Sequence, residues 1–197
     1  MPERLVFVGD SITDSHRDRT DAASLGDGFV RIIADDLGAA ARVVNVGISG
    51  NRAVDLEKRW ERDVAGTSPD VLTIYIGVND MWRRFDRDDE TTAAEFEATM
   101  RRLLDTDVVR TSRVILIEPF LLPVREEQNG WLDDLDGKRA VVARLASEIG
   151  ASMVPLHTIL TKTAGSDPAA IAPDGVHPSE QGARLIADAW LNVHRAG

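Results

Sequence analysis

The sequence predicts an α/β protein, a parallel β-sheet of five strands with helices packed on both faces. Two observations carry this. Short β-rich runs recur at intervals too long for hairpins, and each is apolar enough to be buried on both faces. Between them lie longer stretches whose apolar residues fall three and four apart, the spacing of a helix face. Strands alternating with helices build a parallel sheet, and ligands then collect beyond the carboxyl ends of its strands.

The first strand is expected at "RLVFVG" (4–9), followed by a helix presenting Phe29, Ile32, Ile33 and Leu37. The second, "RVVNVG" (42–47), precedes a helix with Val54, Leu56, Trp60 and Val64. The third, "VLTIYIG" (71–77), leads to Phe96, Met100, Leu103 and Leu104. The fourth, "RVILIEP" (113–119), precedes Val141, Val142, Leu145 and Ile149. A shorter fifth strand is expected within "ASMVPL" (151–156), and Leu185, Ile186, Ala189, Trp190 and Val193 mark the final helix. With 197 residues, 43% of them hydrophobic, one domain over 1–197 is expected.

A net charge of -10 gives no overall attraction to phosphate backbones or anionic lipid, so neither nucleic acid nor membrane is an expected partner. With no cysteine there is no disulfide framework, thiolate metal site or cysteine nucleophile. The apolar run Leu5 to Val8 is too short for a signal-peptide core, and a cytoplasmic protein is expected. "GDGF" (26–29) is not a dinucleotide fingerprint, and no Walker-type loop is present. The acidic runs "DRDDE" (86–90) and "DDLD" (133–136) lack calcium-loop spacing and read as solvated faces or helix starts. No cofactor and no metal is expected.

Polar turns stand where the site should be: "GDSITD" after the first strand, "GISGN" after the second and "GVNDMW" after the third. "DGVHPS" precedes the last helix. Alone, each has a plain reading. Ser11 could cap a helix, Gly50 could serve a turn, Asn79 could cap the helix that follows its strand, and Asp-x-x-His arises by chance in roughly half of chains this long. Together they suit acyl transfer. A serine hydroxyl is a weak nucleophile until a base takes its proton, and a histidine with an unperturbed pKa near ~6.5 can do so near neutrality. Ser11 and His177 fit these roles, and Asp174 can hold the imidazole's far nitrogen. Pro178 biases His177 away from helical geometry, onto the loop before the helix. The amides of Ser11 and Gly50 and the Asn79 side chain can donate to a developing oxyanion, at on the order of 3 kcal/mol each.

With these four blocks in this order, the chain resembles the SGNH hydrolases, also called GDSL esterases and lipases. The resemblance runs from the first strand to the last helix. It implies a flavodoxin-like three-layer α/β/α sandwich with a central five-stranded parallel sheet. It implies the same catalytic set, with Ser11 as nucleophile, His177 as base, Asp174 as its partner, and Ser11, Gly50 and Asn79 as the oxyanion hole. The G-x-S-x-G elbow of α/β-hydrolases is missing, because Thr13 stands where its second glycine belongs.

"GDSITDSHRDR", "VVNVGISGNRAVDL", "RWERDV" and "IGVNDMWRRFD" further resemble a subgroup of bacterial SGNH esterases that includes intracellular acetylxylan esterases. That implies release of acetyl groups from xylo-oligosaccharides or similar sugars, and a homo-oligomer. Where that subgroup can show small residues after "GDSITD", this chain has Ser15 and His16. The rivals are a lysophospholipase or thioesterase on the same fold, and a sugar-binding protein that has lost the chemistry.

His16, Arg17, Arg52, Trp82 and Arg84 are candidate substrate contacts beside the motif turns, and Asp10 is either one of these or a structural bond between loops. Arg17, Arg19, Arg52, Arg83 and Arg84 could equally bridge neighbouring acids. Trp82 and Phe85 could stack on a sugar or belong to a core or subunit interface. His157 is expected in a loop or helix start, and His194 on the surface.

Overall fold

Five parallel strands form one sheet in the computed structural model, which describes residues 1–197. They are β1 (Glu3–Gly9), β2 (Ala41–Asn45), β3 (Val71–Tyr75), β4 (Arg113–Ile117) and β5 (Ser152–Val154), in spatial order β2-β1-β3-β4-β5. Leu5 on β1 is in register with Val43 on one side and Val71 on the other. The connections carry α1 (Ser11–Asp14), α2 (Phe29–Leu37), α3 (Ala53–Asp63), α4 (Val78–Arg87), α5 (Ala93–Leu104) and α6 (Asp107–Arg110). The rest are α7 (Leu132–Ile149), α8 (Leu156–Ala164), α9 (Pro168–Ile171) and α10 (Glu180–Ala196).

Successive side chains on a strand point to opposite faces, so each strand feeds two cores. Leu5, Phe7, Val71, Tyr75, Ile115 and Ile117 pack into one layer with Phe29 and Ile33 of α2, Leu160 of α8 and Trp190 of α10. Val6, Val8, Leu72, Ile74, Val114 and Leu116 pack into the other with Leu56 and Trp60 of α3, Phe96 of α5 and Leu145 of α7. At about 1.5–3 kcal/mol for each large apolar side chain fully buried, these two cores hold the helices on the sheet. The one polar atom of Trp190 is satisfied, since its Nε1 donates to Thr73 Oγ1 at 2.9 Å.

The strands end earlier than their apolar runs. β2, β3 and β4 stop at Asn45, Tyr75 and Ile117, two residues short of the expected 47, 77 and 119. Asn45 turns the chain by donating to the carbonyls of Thr13 (2.7 Å) and Leu25 (2.9 Å) while accepting from Gly47 N. At Gly77 the turn needs φ +125°, and a Cβ there would lie 3.1 Å from Pro119 Cγ and 3.2 Å from Phe96 Cζ. α4 begins at once with Gly77 as its cap, so Asn79 lies inside the first turn of the helix instead of capping it.

Two side chains differ from expectation. Ile149, at the last position of α7, is 43% exposed and outside the core. His194 is not a surface residue: its ring stacks on Trp190 with centroids 4.6 Å apart and its side chain contacts Arg113 and Glu3. His157 falls at the start of α8. The acidic run 133–136 opens α7, where Asp134 is bonded to Lys138 and Arg84.

Candidate active site

The chain leaves β1 for β2 on one side and then crosses to β3 on the other, so the strand order reverses between β1 and β3. Crevices beyond the carboxyl ends of strands at such a reversal are where open α/β sheets bind ligands. Ser11 follows β1 there, the loop after β2 carries Gly50, and Asn79 lies in the first turn of α4, directly after β3. Ser11 is the first residue of α1 and not its cap. Asp10 caps the helix instead, its Oδ1 accepting from Ile12 N at 3.0 Å, which leaves the Ser11 hydroxyl for another partner.

That partner is His177. Its Nε2 lies 3.0 Å from Ser11 Oγ, and its Nδ1 lies 2.6 Å from Asp174 Oδ2. A carboxylate can only accept, so Nδ1 carries the ring proton and the bare Nε2 accepts from the hydroxyl. The other Asp174 oxygen accepts from the amides of Val176 (2.9 Å) and His177 (2.7 Å), an arrangement made by a turn at Gly175 with φ +90°. Burial raises the Asp174 carboxyl, but the hydrogen bonds from His177 and Val176 outweigh it and bring it to about 2. His177 moves the other way: its bond to Asp174 raises it above the ordinary value, against partial burial. An ionised acid therefore faces a histidine primed to accept a proton.

Gln128 locks this turn and has no motif to announce it. It is fully buried, its Nε2 donating to Asp174 O at 2.7 Å and its Oε1 accepting from Val124 N and Arg125 N. Pro178 follows, and Ser179 caps α10 by accepting from Gly182 N.

Gly50 has φ +81°, a left-handed conformation that glycine adopts without cost. Its loop is anchored throughout. Ile48 N donates to Gly9 O at 3.0 Å, Asn51 Oδ1 accepts from Arg59 Nε at 2.7 Å, and Asn51 O accepts from Asn79 Nδ2 at 3.1 Å. Asp80 holds the start of α3, both its oxygens facing Ala53 N. The buried Arg59 also donates to the carbonyls of Val46 and Gly9, tying the ends of β1 and β2 together. Arg59, Asn51 and Asp80 escaped the sequence reading. Of the three only Arg59 carried a signal, a charged residue on the otherwise apolar face of α3 formed by Ala53, Leu56 and Trp60.

A cleft of about 850 Å³ opens beside Ser11 and His177, and Ser15, His16, Arg19, Asp27, Ser49 and Glu180 are on its walls. Arg17 also lines it, its Nε donating to Gly47 O at 2.9 Å. Ser15 and His16 stand at φ +40° and +60°, and both side chains bond Asp27. Asp10 is 1% exposed and does not line the cleft. Burial pushes its carboxyl up to about 7. Arg52 and Arg84 do not line this cleft: Arg52 pairs with Asp89, and Arg84 with Glu90 and Asp134. Trp82 flanks the catalytic-type histidine, its ring centroid 5.9 Å from that of His177, and continues into Trp131 and Phe85. No three or more His, Asp or Glu side chains converge as a metal ion requires, and no helix is long and apolar enough to cross a membrane.

A serine, a histidine and an aspartate in hydrogen-bonded series at the switch point of a 2-1-3-4-5 sheet define a class of hydrolase. The model of the GDSL-like lipase/acylhydrolase family matches residues 7–185, and the chain belongs to that family. It is 36% identical to an acetylxylan esterase of Geobacillus stearothermophilus, over 96% of this chain and 92% of that one. The crystal structure of the acetylxylan esterase from that organism superposes with a TM-score of 0.89 at 35% identity, covering 97% of this chain and 93% of the other. A putative GDSL-like lipase from Parabacteroides merdae superposes with a TM-score of 0.92 at 31% identity, over 99% and 96%. Catalytic mutants of the Geobacillus enzyme have also been solved, replacing a serine, an aspartate and a histidine.

Proposed function

We propose that residues 1–197 act as one catalytic domain, a serine esterase that removes acetyl groups from carbohydrates such as xylo-oligosaccharides. The observation that carries this is the series Ser11 Oγ, His177 Nε2, His177 Nδ1, Asp174 Oδ2, with contacts of 3.0 and 2.6 Å. Ser11 Oγ attacks the ester carbonyl as His177 Nε2 takes its proton. The amides of Ser11 and Gly50 and Asn79 Nδ2 stabilise the resulting oxyanion. Collapse breaks the bond from the carbonyl carbon to the sugar oxygen, which takes the proton from His177 and departs as a hydroxyl, leaving an acetyl-serine. Water, activated by the same histidine, then releases acetate.

A cleft walled mostly by polar residues supports a sugar as the alcohol part of the ester. Side chains such as Arg19, Asp27 and Glu180 can exchange hydrogen bonds with hydroxyls, whereas a long acyl chain gains by burying itself among apolar side chains. His16 and Arg17 on the cleft wall and Trp82 beside His177 are the proposed sugar contacts. A homo-oligomer, which rests on the resemblance, and a cytoplasmic site of action, which suits a chain without cysteine, complete the proposal. The test is acid release from a panel of acetylated xylo-oligosaccharides, p-nitrophenyl esters from acetyl to octanoyl, and acyl thioesters. Acetate released from the oligosaccharides, with acetyl preferred to octanoyl, supports the reading. Preference for octanoyl or thioester substrates would replace it with the lysophospholipase or thioesterase alternative.

A further inference from the structure

We propose that Arg83 is a positioning residue that fixes which end of the Asn79 amide faces the oxyanion, an inference that rests on the esterase reading above. The oxygen and nitrogen of a carboxamide are nearly equal in size, so packing alone cannot choose between an amide and its flipped form. Hydrogen bonds choose. Arg83 stands four residues after Asn79 on α4, so both side chains share one helix face, and Arg83 Nη2 donates to Asn79 Oδ1 at 3.0 Å. A guanidinium has no acceptor, so it can hold only the oxygen end.

Asn79 Nδ2 is thereby turned the other way. One of its two hydrogens goes to Asn51 O at 3.1 Å, in the loop that carries Gly50, and the second remains for the substrate oxyanion. A flipped amide would set Oδ1 against Asn51 O and against the negative charge of the tetrahedral intermediate. Arg83 is itself restrained. Its side chain is 15% exposed, Nη1 is bonded to Asp86, and its guanidinium carbon sits 5.8 Å from the Trp82 ring centre. Asn79 is 3% exposed, so water has little access to replace the lost donor.

The experiment measures kcat, KM and thermal midpoint on p-nitrophenyl acetate for Arg83→Met, Arg83→Lys, Asn79→Ala and the Arg83→Met/Asn79→Ala pair, with Ser11→Ala alongside. Arg83→Met is expected to lose about tenfold in kcat with KM within about twofold, less than the roughly 100- to 1,000-fold cost of deleting an oxyanion donor. Arg83→Lys, which keeps a donor, is expected to recover part of that loss. The double variant is expected to be no slower than Asn79→Ala, because Arg83 then has no amide to orient. Parental kcat in Arg83→Met, or a loss that adds in full to that of Asn79→Ala, would overturn the assignment while an inactive Ser11→Ala leaves the esterase reading standing. Full activity in Ser11→Ala would overturn both. Should Arg83→Met not fold, Arg83→Lys with and without Asn79→Ala makes the same comparison, and full additivity there overturns the proposal.

Discussion

Ser11 Oγ lies 3.0 Å from His177 Nε2, although 166 residues separate them. The contact depends on two unrelated local devices: Asp10 takes the helix-capping role from Ser11, and Asp174 holds His177 on a turn before α10. In the proposed roles of nucleophile and base, the pair works only while Nε2 is free of its proton. Because the bond to Asp174 raises the His177 pKa, kcat/KM is expected to fall as pH drops, with a midpoint above the ordinary ~6.5. Asp174→Asn removes the charge, so its midpoint is expected at lower pH and its kcat to fall by up to about 10⁴-fold. Rate profiles from pH 5 to 9 check both, and a flat parental profile down to pH 5 contradicts His177 as base.

The proposed oxyanion donors allow a prediction that separates chemistry from folding. Asn79→Ala removes one charge-neutral donor, and kcat is expected to fall roughly 100- to 1,000-fold with little change in KM. Gly50→Ala tests the backbone instead. An added Cβ meets nothing within 4 Å, so the cost comes from φ +81° alone, about 1–2 kcal/mol. Steady-state kinetics and thermal melts of the two variants are the measurements.

Gly9 ends β1 immediately before the site. A Cβ there would overlap the Tyr75 carbonyl oxygen and Thr13 Oγ1, and the carbonyl belongs to the neighbouring strand and cannot step aside. Gly9→Ala is expected to lower stability by about 1–3 kcal/mol and to reduce activity by displacing Ser11. An unchanged thermal midpoint would mean that β1 and β3 are less closely opposed than described.

The sheet was legible in the sequence because strands buried on both faces must be apolar throughout, and four such runs stand out; of these β2, like the short β5, proves to be an edge strand that is only partly buried. The candidate site was legible because Ser11, Gly50 and Asn79 follow successive strands and Asp174 and His177 stand together just before the last helix. What supports them was not. Arg59, Gln128 and Asp80 are polar residues that tertiary structure buries, and nothing local marks which carbonyl or amide each will meet. Asn79 looked like a strand-end amide because Gly77 hides the start of α4. His194 looked exposed because its cover, Glu3 and Arg113, comes from distant strands.

Asp10 links the site to stability. Its carboxyl is buried with Oδ2 unpaired, and burial raises it from an unfolded value of 3.8 to about 7 in the fold. The native state therefore holds a proton the unfolded chain has released, and this group's contribution is fully present below 3.8 and lost as pH rises toward 7. Asp10→Asn carries no such charge. Its thermal midpoint is expected to fall less than the parent's between pH 4.5 and 7.5, and equal slopes would show that Asp10 ionises freely in the folded protein.

The most direct measurement is acetate release by Ser11→Ala from p-nitrophenyl acetate and an acetylated xylo-oligosaccharide, with the folded state checked by circular dichroism. If Ser11 is the nucleophile, kcat falls by at least about 10³-fold on both substrates while the fold is kept. A folded Ser11→Ala that releases acetate as fast as the parent contradicts the mechanism.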